Sequence, residues 1–152
     1  MLARLLDRLD SLGIARRRQY AALPWRLGKD GVEILLITSR ETRRWVIPKG
    51  WPMHGLIEHE AAAQEAFEEA GVRGDIEPTA FGVFRYRKRL KDGSLVTCRV
   101  DVFPLAVTRE EKSWPEKRQR TRQWTPADEA ARLVEEPGLR RLIERFGKRG
   151  TP

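Results

Sequence analysis

Cysteine is nearly absent from this chain of 152 residues, and Cys98, the single one, has no partner for an intramolecular disulfide. Cys98 stands in an alternating apolar stretch, which predicts a small buried side chain rather than a reactive thiol. Long apolar runs are absent too: no run of about eighteen apolar residues occurs, and no continuous apolar segment of the secretory type opens the chain. These absences argue against a transmembrane protein and, by default, predict a cytoplasmic one.

Acidic residues are in the minority, since 30 lysines and arginines face 22 aspartates and glutamates, a formal charge of +8. Such a positive field attracts polyanions, which include polyphosphates, RNA and acidic membrane surfaces, without selecting among them. With 40% hydrophobic residues the chain is long enough to bury one core. Because no repeat or linker divides it, we expect residues 1–152 to form a single domain.

The two ends of the chain differ from the rest. Residues 1–14 place five leucines at helical spacing and predict a short amphipathic helix. We expect this helix to pack onto its own domain or onto a sister subunit in a homodimer, and we expect no membrane attachment. The residues from Gly147 to Pro152 predict a frayed tail.

Between these ends, apolar patterning and turn residues predict strands separated by a long motif loop and several helices. Thr125 is expected as an N-cap with Pro126 at the first helical position. In the predicted hairpin around Gly93, Arg99 and Asp101 should face outward, with Val96, Cys98, Val100 and Val102 inward. The predicted strands are Arg18–Leu27, Val32–Thr38, Trp45–Ile47, Thr79–Leu90 and Leu95–Val107, and the last helix is Leu139–Phe146. Mixed strands and helices in this order predict an α/β fold, a sheet sandwiched between helices.

The clearest helix prediction runs from about Glu58 to Ala70 and ends at Gly71. One side of it carries Ala63, Ala66, Phe67 and Ala70, which should pack, and the other carries Glu58, Glu65, Glu68 and Glu69. Like charges at four-residue spacing destabilise a helix unless something offsets them. A bound hard cation such as Mg²⁺ would do so, and a plain solvated acidic face is the alternative; the residues alone leave both open.

This segment resembles the motif of the Nudix hydrolases, which is Gly, five residues, Glu, seven residues, then Arg-Glu-apolar-x-Glu-Glu-x-Gly-apolar. The match runs from Gly50 to Val72. Two positions depart from the motif, because Leu56 stands at its first glutamate and Gln64 at its arginine. Our hypothesis is that this paired loss is structural and leaves the metal ligands intact. The positions that match are Gly50, Glu65, Ala66, Glu68, Glu69, Gly71 and Val72.

The resemblance implies a Nudix-type α/β/α sandwich with a mixed sheet and a hydrolase that uses Mg²⁺, with Mn²⁺ as a possible substitute. It implies Glu65, Glu68 and Glu69 as metal ligands and catalytic carboxylates, with the Lys49 carbonyl beside Gly50 as a further ligand. Divalent cations would neutralise diphosphate oxygens and activate a water. A further acid from a distant loop is common in the family. The candidates are Glu110, Glu111 and Glu116, of which Glu116 has the most rigid flanks.

Basic residues around the motif fit a polyphosphate, and the substrate-binding candidates are Arg44, Lys49, Trp51, Arg85 and Arg87. The loop from Pro48 to Met53 is similar to that of Nudix members acting on diadenosine or diphosphoinositol polyphosphates. A small molecule containing a diphosphate linkage is therefore the expected substrate. Two alternatives stay open: an RNA 5′-pyrophosphohydrolase, and a catalytically weak Nudix-fold module that binds RNA or another polyanion. Nucleic acid is the less favoured partner, because no aromatic-rich RNA motif is visible.

Overall fold

The computed structural model describes residues 16–149. The expected N-terminal helix and the last three residues of the expected tail lie outside the described residues. Within the described range, no helix is both long and apolar enough to cross a bilayer.

The described chain forms eight strands, three α-helices and one π-helical turn. The strands are β1 (Arg16–Gly28), β2 (Gly31–Thr38), β3 (Trp45–Val46), β4 (Lys49–Gly50), β5 (Val72–Ile76), β6 (Gly82–Arg89), β7 (Leu95–Glu110) and β8 (Arg122–Pro126). The helices are α1 (Glu58–Glu65), continued by the π-helical turn Ala66–Ala70, then α2 (Ala127–Leu133) and α3 (Pro137–Gly147).

All eight strands belong to one mixed sheet, whose central path has the order β3-β2-β1-β7-β5. The long strands β1 and β7 run parallel to each other, and every other pairing is antiparallel. Strand β7 carries β6 along its first half and β5 along its second half. The short strand β4 pairs with β1, so the start of the motif loop is attached to the middle of the sheet.

Apolar side chains cover both faces of this sheet, because successive residues of a strand point to opposite sides. One face, here called the front face, holds Tyr20, Ala22, Phe103 and Leu105 against the alanines of α1. The opposite, back face packs Ala21, Leu23, Val100 and Val102 against α2 and α3. This helix–sheet–helix arrangement confirms the predicted α/β/α sandwich with a mixed sheet.

Three strands were missed by the sequence analysis, namely β4, β5 and β8. They have only two to five residues and no period of their own, and pairing with longer neighbours is what makes them strands. The expected cap at Thr125 was wrong: Thr125 is a buried strand residue opposite Ile34, and Pro126 is the N-cap of α2, with ψ 142°. The expected exposure of Asp101 was also wrong, since it is buried between Arg18 and Arg99.

The end of the chain is ordered further than the sequence predicted. Gly147 is the last residue of α3, and Arg149 makes a bidentate ion pair with Glu77, with N–O distances of 2.7 and 2.9 Å. The Arg149 guanidinium also lies 5.2 Å from the centre of the Phe146 ring. Fraying therefore does not begin at Gly147.

Candidate active site

The site is built around a close approach between Gly50 and Glu65. Gly50 lies opposite Tyr20 in the β1–β4 pair, so a side chain at position 50 would point to the front face. The Glu65 side chain occupies that space, and a Cβ on Gly50 would overlap its Oε1 and Cδ atoms. Only glycine lets the motif helix come this close to the sheet.

Glu65 and Glu69 lie on the packed side of the motif helix, not on the solvent side as the sequence analysis expected. The buried stripe consists of Ala61, Ala62, Glu65, Ala66, Glu69 and Ala70. The expected packing residues Ala63 and Phe67 are only half-buried, and Phe67 is covered by the guanidinium of Arg73 at 3.9 Å. Small alanines and the missing side chain at Gly50 make the room that the two glutamates fill.

The buried carboxyl groups of Glu65 and Glu69 hydrogen-bond to each other. Burial raises the pKa of Glu65, and burial together with the hydrogen bond to Glu65 raises the pKa of Glu69 to about 9. Without a cation between them, the pair thus holds a proton at neutral pH. A divalent cation bound between two such buried carboxylates would offset the cost of ionising both of them.

Glu68 lies at the rim of the site, and its carboxylate accepts a hydrogen bond from the Gln64 amide at 3.3 Å. Gln64 stands at the arginine position of the motif, so an amide supports the glutamate there. Leu56, at the other departing position, is 39% exposed at the start of the helix. Neither substitution displaces Glu65 or Glu69 from the packed side, which is consistent with the hypothesis of a structural exchange.

The loop before β8 closes over the π-helical turn. The Trp114 indole N–H donates to the carbonyl of Glu69 at 3.3 Å, and the backbone N–H of Glu116 donates to the carbonyl of Glu68 at 3.0 Å. The Glu116 carboxylate lies 2.9 Å from the Arg120 guanidinium, which also stands 3.5 Å from Glu69. Arg120 is further fixed by the carbonyl of Thr38 at 3.1 Å.

The three loop candidates for an additional acid are placed differently. Glu116 is joined to Glu69 through Arg120. Glu110 pairs with Trp124 and Arg26, and Glu111 with Arg73 and Arg109. Of the three candidates, Glu116 is therefore the one that shares an ion-pair partner with Glu69. Arg120 was missed by the sequence analysis, although its four-residue spacing from Glu116 could have indicated it.

The donor set fits a hard cation that needs few protein ligands. As the side chains stand in residues 16–149, no group of three or more carboxylate, imidazole or thiol side chains converges on one point. Glu68 and Glu116 are turned to Gln64 and Arg120, which leaves Glu65 and Glu69 as a pair. Mg²⁺ typically takes one or two carboxylates and completes its shell with water and substrate phosphates, so this pair suits it.

A row of arginine side chains lies on the front face of the sheet next to Tyr20. Arg18, Arg99 and Arg85 lie side by side on neighbouring strands, and Arg87 follows one step along β6. Within the described residues Arg85 and Arg87 have no hydrogen-bond or ion-pair partner, while Arg18 and Arg99 share the buried carboxylate of Asp101 at 3.0 and 3.2 Å. Arg85 and Arg87 were predicted from the sequence; Arg18 and Arg99 were not, although the same alternation from Tyr20 and Asp101 could have indicated them.

The other substrate-binding candidates lie apart from this row. The Lys49 side chain points to the back face, where its ammonium is 5.0 Å from the centre of the Tyr86 ring, and burial lowers its pKa. Arg44 is paired with Glu135 at 2.9 Å. Trp51 is 39% exposed on the motif loop. The structure therefore joins Arg85 and Arg87 to the face that carries Glu65 and separates the side chain of Lys49 from it.

Comparisons with known proteins agree with the motif and the fold. The NUDIX domain family model matches residues 16–146. Nudix hydrolase 12, mitochondrial, of Arabidopsis thaliana is 35% identical over 118 residues, which are 76% of this chain and 58% of that protein. Diphosphoinositol polyphosphate phosphohydrolase 3-alpha of Mus musculus is 27% identical over 140 residues, 90% of this chain and 81% of that protein.

Among solved structures, the C. elegans Ap4A hydrolase has a TM-score of 0.62 at 19% identity, covering 86% of this chain and 95% of the other. At this identity the likeness shows the fold alone. The family match, residues 16–146, covers all eight strands, α1, α2 and α3 as far as Phe146.

Proposed function

The chain belongs to the Nudix hydrolase family, and from this premise we propose that it hydrolyses a diphosphate linkage in a polyphosphate substrate with the help of Mg²⁺. The supporting observation is the shared front face: the Glu65–Glu69 pair packs at Gly50, and the arginine row begins two residues from Tyr20, the strand partner of Gly50. Two residues of strand correspond to about 7 Å. One polyanionic substrate could thus contact both the cation held by the carboxylates and the guanidiniums of the arginine row.

In this proposal Glu65 and Glu69, with the carbonyl of Lys49 and rim contacts from Glu68, hold the divalent ion. When bound, the ion supplies charge neutralisation for diphosphate oxygens and lowers the pKa of a water. Arg85 and Arg87 bind phosphate oxygens, because a guanidinium without an internal partner is available for them. Arg18 and Arg99 are oriented by Asp101, so their remaining N–H groups are presented to substrate at little entropic cost.

Glu116 is the proposed proton acceptor for the attacking water or a residue that orients it. Its carboxylate is held by Arg120 and is thereby fixed beside the π-helical turn. The substrate class suits the names of two relatives, which are hydrolases of diphosphoinositol polyphosphates and of Ap4A. We propose a small-molecule substrate of this kind. The cytoplasmic location and the homodimer expected from the sequence stay predictions.

The test incubates the full chain with Mg²⁺ and a panel of dinucleoside polyphosphates, diphosphoinositol polyphosphates, nucleoside triphosphates and 5′-triphosphorylated RNA, and identifies the products by mass. We expect turnover of at least one small polyphosphate, and Glu69→Gln should reduce kcat/KM at least a hundredfold, which is about 3 kcal/mol. Glu129→Gln, an exposed glutamate of α2, is the matched control and should retain activity. Equal inactivity of the wild type and Glu69→Gln on the entire panel would refute the proposal.

A further inference from the structure

The C-terminal end of the motif helix needs donors from elsewhere in the chain. Gly71 ends the helix, and its N–H donates to the carbonyls of Ala66 and Phe67. The carbonyls that follow, those of residues 68–71, have no partner within the helix. The π-helical turn Ala66–Ala70 also contains no basic residue that would offset the negative end of the helix dipole.

A single loop supplies these donors. It comprises residues 111–121, which connect β7 with β8, and is here called the capping loop. The backbone N–H of Glu116 donates to the carbonyl of Glu68 at 3.0 Å, and the Trp114 indole N–H donates to the carbonyl of Glu69 at 3.3 Å. The loop therefore binds the backbone of two residues whose carboxylates belong to the proposed site.

Arg122, the first residue of β8, binds the rest of the helix end. Its Nη1 donates to the carbonyls of Ala70 at 2.9 Å and Gly71 at 3.2 Å, and its Nη2 donates to the carbonyl of Glu111 at 2.9 Å. A planar guanidinium can hold three carbonyls at once, and its positive charge offsets the helix dipole. One side chain thus ties the helix end to the start of the capping loop.

The Trp114 ring packs against both Arg122 and the helix end. The Arg122 guanidinium lies 4.0 Å from the centre of this ring. Gly71 has a φ of 67°, and a Cβ there would come within 2.4 Å of Trp114 Cδ2. Glycine at position 71 therefore allows both the left-handed turn and the close approach of the indole.

From these contacts we infer that Trp114 and Arg122 are positioning residues for the cation-binding pair Glu65 and Glu69. The inference rests on the proposed function. Both side chains act through the backbone of the π-helical turn, from which Glu69 projects towards Glu65. The capping loop also carries Glu116, so the same hydrogen bonds set the position of this acid relative to the pair.

The first test compares Arg122→Gln with Arg140→Gln as its matched control. Arg140 caps α2 in a similar way, because its guanidinium donates to the carbonyls of Ala131 at 3.0 Å and Val134 at 3.1 Å. Helix α2 carries none of the proposed site residues. Loss of a guanidinium cap is thereby separated from loss of the cap at the site.

The second test compares Trp114→Phe with Trp124→Phe. Phenylalanine at position 114 keeps a ring beside Arg122 but removes the donor to the carbonyl of Glu69. Trp124 is the matched control, because its indole donates to Glu110 at 3.0 Å and lies 4.1 Å from the guanidinium of Arg26. Both substitutions therefore remove one indole N–H beside an arginine.

Two quantities are measured at a temperature where unfolding curves show each variant folded. They are the Mn²⁺ affinity, and KM and kcat at saturating Mg²⁺ with the panel compound that the wild type hydrolyses fastest. Arg122→Gln should weaken Mn²⁺ binding about tenfold and lower kcat about tenfold. KM should stay within about twofold, because the arginine row is unchanged.

The other variants should follow the same reasoning. Arg122→Lys keeps the charge and part of the donor set, so it should recover part of the lost kcat. Trp114→Phe should lower kcat and Mn²⁺ affinity less than Arg122→Gln, because it removes one hydrogen bond. Arg140→Gln and Trp124→Phe should leave both quantities within about twofold of the wild type.

A lower Tm for Arg122→Gln with unchanged Mn²⁺ affinity and kcat would show a purely structural cap and overturn the inference. Equal losses in Arg122→Gln and Arg140→Gln would overturn it too. If Arg122→Gln does not fold, Arg122→Lys and Trp114→Phe decide by the same measurements. A wild type that hydrolyses no panel compound would count against the proposed function, and the Mn²⁺ affinities would still decide the positioning role.

Discussion

Replacing Gly50 with alanine probes the contact on which the site is built. The backbone of Gly50 needs no left-handed conformation, so alanine is sterically acceptable there apart from its neighbours. Its Cβ would overlap Oε1 and Cδ of Glu65 and lie 3.0 Å from Oε2. Glu65 is only 9% exposed, so its carboxylate cannot move into solvent without leaving the packed side of the helix. Overpacking of this kind costs about 1–3 kcal/mol.

Gly28→Ala is the matched control. A Cβ at position 28 would also meet a glutamate, 2.5 Å from Cδ of Glu33, but Glu33 is 25% exposed and its ion-pair partner Arg26 is 41% exposed, so the two side chains can move towards solvent together. Gly28→Ala should change the free energy of unfolding by no more than about 0.5 kcal/mol. Both glycines lie in strands, so the difference between the variants isolates the freedom of the facing carboxylate.

The assay is thermal and urea unfolding in EDTA, followed by Mg²⁺-dependent turnover. Gly50→Ala should lower the Tm by roughly 2–12 °C, using about 2–4 °C per kcal/mol for a chain of this size. It should also reduce kcat/KM at least tenfold at a temperature where the variant stays folded, because Glu65 is displaced. Equal stability and activity of Gly50→Ala and Gly28→Ala would refute the packing argument.

Three further predictions concern the charged groups. In EDTA the free energy of unfolding should fall as pH rises from about 4.5 to about 9, because the pKa of Glu69 is raised in the folded chain and the unfolded side chain releases its proton first. Urea unfolding of Glu69→Gln should show a weaker dependence of this free energy on pH. An equal dependence in both proteins would contradict the prediction. Asp101→Asn should lower the free energy of unfolding, measured in urea, by about 1–2 kcal/mol, because two charge-assisted hydrogen bonds are weakened. The effect is no larger because both arginines are half-exposed. An unchanged free energy would mean that Asp101 does not order the two arginines. Arg149→Ala should cost less than about 1 kcal/mol because its pair with Glu77 is partly exposed, and a larger loss would show that the chain end is essential to the core.

The long elements of the fold could be predicted from the sequence because their apolar periods are strong. The strands β1, β2 and β7 and the motif helix were found with small errors at their ends. Strands β4, β5 and β8 could not be found, since two to five residues show no period and only tertiary pairing makes them extended. The cap predicted at Thr125 was wrong because a Thr-Pro pair fits a helix start and a strand end equally well.

The site could be located from the motif but not assembled. The motif spacing placed Glu65, Glu68 and Glu69 on one helix. The predicted solvent-facing side was wrong for Glu65 and Glu69, which lie on the buried side. Standard hydrophobic patterning treats carboxylates as exposed, and only the absence of a side chain at Gly50 shows that they can be enclosed. The contact of Glu116 and Arg120 with Glu69 joins residues about fifty positions apart, which a single sequence does not reveal.

In the proposed mechanism the buried pair Glu65 and Glu69 holds a divalent cation at Gly50. This cation site can be measured by electron paramagnetic resonance titration of Mn²⁺ into the wild type, the Glu65→Gln/Glu69→Gln variant and the exposed control Glu129→Gln. We predict at least one tight site in the wild type and the control, with affinity at least tenfold weaker in the double variant. Equal Mn²⁺ affinity in all three proteins would show that Glu65 and Glu69 do not bind the cation.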